Sequence, residues 1–160
     1  MAPACSWALL LGLVCACAAP RLGAEGVDPG LLPVQAAADP EAARGRRVRW
    51  GGVVLQVVDK GDSTDLEVLA YPLRDGGRPR TEAAPLGCFL ARNPLHSDPA
   101  DLAPGSRVTL VGRVAGTVPC PAGEAERVCP VLEVELLHRW TARYPAPAPR
   151  VHFGIGVILP

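Results

Sequence analysis

"RRVRWGGVVLQVV", Arg46 to Val58, decides the fold. Its first half alternates. Val48 and Trp50 fall on one side of an extended chain and Arg47 and Arg49 on the other, the period-two signature of a strand with one buried face. Around Gly51 and Gly52 the run becomes apolar on both faces, so the strand enters a place where both of its sides are covered. A glycine pair inside a strand predicts a bulge or a sharp bend. Such a bend lets one long strand serve two sides of a small barrel.

The residues on either side fit that reading. "DKGDS", Asp59 to Ser63, is turn chemistry, and "TDLEVLAYPL", Thr64 to Leu73, is the returning strand. Arg74 to Pro85 is a polar loop, "GCFLARN" a short strand from Gly87, and "PLHSDPADLAPG" a connection. In "SRVTLVGRVAGTV", Ser106 to Val118, Val108, Leu110 and Val114 share one face and Arg107, Thr109 and Arg113 the other. In "VLEVELLHRW", Val131 to Trp140, Leu132, Val134, Leu136, His138 and Trp140 point one way and Glu133, Glu135 and Arg139 the other. Upstream, "ADPEAARG" punctuates a short N-terminal helix: Asp39 caps, Pro40 suits the first position and Gly45 closes the turn. The expected fold is mostly β, a small five-stranded, partly open OB-like barrel over residues 31–140, with a β-sandwich as the alternative.

Composition bounds the function. The chain has 160 residues, 16 basic and 16 acidic, so its net charge is zero. Nucleic-acid binding rests on neutralising phosphates, and no nucleic-acid partner is expected. The run from Ala4 to Ala19 carries no charge. It falls short of the roughly 20 residues a spanning helix needs and matches the apolar core of an export signal closed by small residues. No Lys or Arg precedes it, which leaves the amino terminus as its positive charge. Val14-Cys15-Ala16-Cys17 has the aliphatic, tolerant, small, cysteine order of a bacterial lipoprotein cleavage site. Cys15 has bulky Val14 immediately before it, so Cys17 is the expected lipidated residue. The boundaries follow: 1–16 a lipoprotein signal peptide, 17–30 a flexible tether, and 141–160 a Pro/Ala spacer with a Gly-rich apolar tail. That tail alternates from Val151 onward and either covers a barrel edge or meets a membrane or partner.

Of the six cysteines, Cys5 and Cys15 leave with the signal and Cys17 carries lipid. Cys120 and Cys129 flank the loop "PAGEAERV" and can close it as a disulfide in an oxidising compartment, worth about 2–3 kcal/mol by loop closure. The alternative is that these two and Cys88 stay unpaired. Zinc would need a fourth ligand such as His96 and a paired C-x-x-C spacing that does not occur.

A search for chemistry finds no G-x-S-x-G elbow, H-E-x-x-H, Walker loop or dinucleotide fingerprint. Asp59, Asp62 and Asp65 lack the alternate-residue spacing of a calcium loop and suit a hairpin turn. His138 falls by parity on an apolar face. "RGRRVR" reads as a solvated basic face. The expectation is no catalytic residue, no metal and no cofactor.

"VRWGGVV", "TDLEVLAYPL" with "GRP" after it, "GCFLA" followed by Asp98-Pro99, "GSRVTLVGRVAGTV", "GE" and "PVLEVELLHRW" occur in this order. In order and spacing the chain resembles the Slp family, the starvation-inducible outer-membrane lipoproteins of Gram-negative bacteria, over roughly Leu32 to Trp140. The resemblance implies an outer-membrane, periplasm-facing β domain without established catalytic activity, in envelope maintenance or the stress and stationary-phase response. It places the lipid on Cys17, makes outer-membrane lipid the first partner and allows an envelope protein as a second. Ala18 stands where an Asp would retain an enteric lipoprotein in the inner membrane. Cys88 and Cys129 depart from the family pattern, which leaves Cys88–Cys129 as a rival to the Cys120–Cys129 pair. The alternative function is a soluble periplasmic OB-fold module binding a small molecule or glycan.

Overall fold

The computed structural model describes residues 23, 25–93, 102–120 and 127–141. The expected signal peptide, Cys17, His96 and the apolar tail lie outside the described residues. Two short helices, α1 (Pro33–Ala38) and α2 (Pro40–Ala43), precede five strands: β1 (Arg47–Asp59), β2 (Thr64–Ala70), β3 (Cys88–Asn93), β4 (Arg107–Pro119) and β5 (Val128–Trp140). The strands close in the order β1-β2-β3-β5-β4. The expected mostly β, OB-like barrel is therefore present, and it is closed where a partly open one was anticipated. Closure comes from a parallel pairing of β3 with β5, limited to Leu90–Val131, Ala91–Leu132 and Arg92–Glu133; all other strand pairs are antiparallel.

The helix signals act as their chemistry dictates. The Asp39 side chain accepts the Ala42 N–H at 3.1 Å, and Pro40 occupies the first turn. The preceding turn α1 was not anticipated. It opens on Pro33 and is held by the Gln35 side chain, whose Oε1 accepts the Leu32 N–H at 2.8 Å.

The core is the inward set of the barrel. Val48, Val54, Leu66, Val68, Phe89, Val108, Leu110, Val114 and Leu132 are buried within it, and Trp50 packs on Phe89 with ring centroids 5.2 Å apart. Each fully buried side chain of this size contributes about 1.5–3 kcal/mol relative to exposure. Leu31, Ala36 and Ala43 add the N-terminal segment to the same cluster.

Register explains two departures from simple alternation. The glycine pair does not carry the bulge. The irregularity in β1 lies between Val54 and Gln56, which leaves Leu55 exposed and turns Val57 back toward the core. Gly52 instead lets two backbones approach: a Cβ there would fall on the Leu69 carbonyl, and one at Gly112 on the Glu133 carbonyl. In β5, Leu136 pairs with Val111 while Val134 pairs with Gly112, so Glu135 is the extra residue of a bulge. Beyond it the parity flips. Leu136 is exposed and Leu137 packs on the core, the reverse of plain alternation.

Candidate functional site

In the basic stretch Arg44 to Arg49, Arg44 and Arg46 are exposed, as a solvated face requires, whereas Arg47 and Arg49 are partly buried. Arg46 binds the Asp28 carboxylate, and Asp28 N donates to the Arg47 carbonyl at 2.7 Å. The Arg47 side chain reaches Glu135 at 2.7 Å while also donating to the Gly23 and Glu25 carbonyls. These contacts clamp residues 25–30, read from sequence as part of a flexible tether, across the outside of the barrel as a strap. The strap ends at Leu31, whose carbonyl accepts the Trp50 indole N–H at 2.8 Å.

Between the strap and the sheet lies a groove of about 400 Å³. One wall is Val27, Leu31 and Leu32. The floor is Arg49, Trp50 and Gly51, and the far wall is Tyr71, Pro72, Leu73 and Leu86. Its polar side chains are Arg49, Tyr71 and Asp28. Asp28 is occupied, with one oxygen on the Gly30 N–H and the other on Arg46. Arg49 is half-buried, and its Nη1 is buried with no hydrogen-bond partner among the described residues. A buried donor left unmade costs about 1–3 kcal/mol, more when charged. Sequence reasoning missed the groove because Arg49 looks no different from Arg47 until the strap is in place.

The remaining expected positions resolve as follows. Asp59 accepts the Gly61 N–H at 2.8 Å within the β1–β2 turn. Asp65 is buried and paired with Lys60 at 2.6 Å and Arg92 at 3.6 Å. His138 packs edge-on against Trp140, whose indole donates to the Thr109 hydroxyl; that hydroxyl in turn donates to the Gly77 carbonyl. Among the described residues no group of three or more His, Cys, Asp or Glu is placed to hold a metal ion.

The structure joins Cys120 and Cys129, with Cα atoms 5.1 Å apart, at the base of the β4–β5 loop. Cys88 is a free thiol. Carrying the β3–β5 register back two residues puts Cys88 level with Cys129, so the rival pairing matches the strand order even though the Cys129 sulfur is engaged elsewhere. Cys88 lines a second cavity, of about 340 Å³, with Val34, Cys120 and Arg127. Burial raises its pKa; Arg127 works against that shift and Glu67 adds to it. Cys88 should therefore alkylate more slowly at neutral pH than the same thiol in denaturant, with a rate still climbing above the ordinary thiol range near pH 8.5. A stopped-time maleimide assay from pH 6 to 10 checks this. The same shift favours the folded state at low pH, and that contribution is lost as pH rises from the unfolded thiol's pKa through the raised folded value.

A profile described as the outer membrane lipoprotein Slp family matches residues 14–155. The chain belongs to the Slp family. The match takes in the barrel, the strap and Cys17. The Slp-family chain is also similar to the uncharacterized lipoprotein YeaY of Escherichia coli (strain K12), 32% identical over 101 residues. That alignment covers 63% of this chain and 52% of YeaY, so it spans about half the length of that relative. No solved structure matches this Slp-family chain.

Proposed function

We propose that this protein is anchored in the outer membrane by acyl chains on Cys17 and presents its barrel to the periplasm as a non-catalytic binding domain, in envelope maintenance or the stress and stationary-phase response. On this reading 1–16 is removed as the signal peptide, the chain up to the strap is the tether, 31–140 is the functional domain and 141–160 a spacer with an apolar tail. The observation that carries it is the Val14-Cys15-Ala16-Cys17 order in a chain of an outer-membrane lipoprotein family. Mature bacterial lipoproteins carry three chains, and at ~0.8 kcal/mol per buried methylene such an anchor is effectively permanent. Binding rather than catalysis is supported by the groove, where an apolar wall meets an arginine, a tyrosine and an aspartate already held by Arg46. The Cys120–Cys129 bond suits an oxidising periplasm.

Cys17→Ser is the test. The wild-type chain should fractionate with outer membranes and show the mass of a lipidated Cys17 at its start. The variant should lose both while its barrel melts at the same temperature. Unchanged membrane fractionation and mass would overturn the anchor.

A further inference from the structure

We propose that the groove under the strap binds a single-chain anionic amphiphile, an acyl chain ending in a carboxylate or a phosphate, with Arg49 meeting the head. Three arginines leave this part of the chain on the outer side of the barrel. Arg46 and Arg47 are satisfied by Asp28, Glu135 and strap carbonyls. Arg49 lines the groove with a buried, unpaired Nη1. A guanidinium at this edge can take a carboxylate or phosphate through two parallel hydrogen bonds once its buried Nη1 turns into the groove. Asp28 does not oppose such a head, because Arg46 already neutralises it. Apart from Arg49, Asp28 and Tyr71 the lining side chains are largely apolar, and about 400 Å³ lies within the range of roughly 300–1,000 Å³ typical of small-molecule sites. A charged head beside an apolar wall selects an amphiphile over a sugar, whose hydroxyls would find few partners on Leu31, Leu73 and Leu86.

Position gives a further argument, which rests on the anchor at Cys17. Gly23, whose carbonyl accepts from Arg47 just ahead of the strap, is six residues after Cys17. Six residues span at most about 20 Å, so an anchor at Cys17 would keep this end of the domain near a membrane surface, where single-chain lipids are exchanged.

The test uses the full-length protein in phosphatidylcholine nanodiscs, with photoreactive 16-carbon probes of one chain and three heads: carboxylate, phosphate and neutral alcohol. Intact mass of each sample reads the state of Cys17 separately, so failure of the anchor and failure of the groove are distinguishable. Crosslinks should fall on peptides carrying Leu31 or Leu73, with one or both anionic probes captured about tenfold over the alcohol. The better-captured head tells a fatty acid from a lysophosphate. Arg49→Gln should bring anionic capture down to the alcohol's level, and Arg49→Lys should keep part of it. Leu73→Trp, which fills the groove and leaves Arg49 in place, should abolish capture of every probe. Equal capture of acid and alcohol, or undiminished capture by Arg49→Gln at an unchanged melting temperature, would overturn the proposal. So would capture that appears only after deletion of Val151 to Pro160, since that assigns the groove to the chain's own tail.

Discussion

Gly52→Ala should cost the barrel at least ~3 kcal/mol, near the upper end of overpacking effects. The added methyl has nowhere to go, because it would fall on the Leu69 carbonyl oxygen with the Ala70 backbone just behind. Both neighbours are backbone in the paired β2 strand, so relief requires breaking the ladder rather than turning a rotamer. At about 4–8 °C per kcal/mol for a domain of this size, the melting temperature should fall by roughly 12 °C or more. Gly76→Ala is the internal control. A Cβ there meets nothing within 4 Å, so the change should stay within about 0.5 kcal/mol. A circular-dichroism melt of the two variants beside the parent checks both. Equal melting temperatures for Gly52→Ala and Gly76→Ala would show that close approach of the strands is not what the glycine provides.

Phe89→Ala should cost ~3–5 kcal/mol, the range for deleting a buried aromatic side chain. Phe89 is fully buried and tilts 60° against Trp50, so the variant loses transfer energy, leaves a cavity and removes a ring contact. Phe89→Leu keeps most of the volume and should cost less than about 1.5 kcal/mol. Urea titration followed by tryptophan emission reads both, because the cavity opens beside the Trp50 indole. A midpoint for Phe89→Ala within error of the parent would remove Phe89 from the centre of the core.

These two positions mark what could be read along the chain and what could not. Phe89 lies in a short apolar strand bounded by turn residues, and all five strands were visible in that way because alternation and turn chemistry are local. Gly52 was conspicuous, but its cause was not. Whether a strand glycine serves a bulge or a close approach depends on the neighbouring backbone, and that is a tertiary fact. The misassigned face beyond Glu135 has the same origin: the bulge exists only relative to β4, so no reading of β5 by itself could place Leu136 outside. The strap was hidden for a different reason. Its hydrogen bonds run from Arg46 and Arg47 to residues about 20 positions upstream, and "GAEGVDPG" carries no periodic signal. Without the strap there is no groove, and Arg49 is an ordinary outward cation.

The three-pair joint between β3 and β5 gives the cylinder a fault line. Ladders of seven to twelve paired residues hold the β1–β2, β1–β4 and β4–β5 boundaries, so the free energy needed to part neighbouring strands is far from uniform around the ring. Opening should cost least at the short joint, and it would bare two strand edges with unmatched amide and carbonyl groups, the kind of template onto which another extended segment can add. The loop staple at Cys129 is anchored on β5 just before that joint. It ties the β5 side of that joint to the end of β4, whereas the β3 side, beginning at Cys88, carries no such staple.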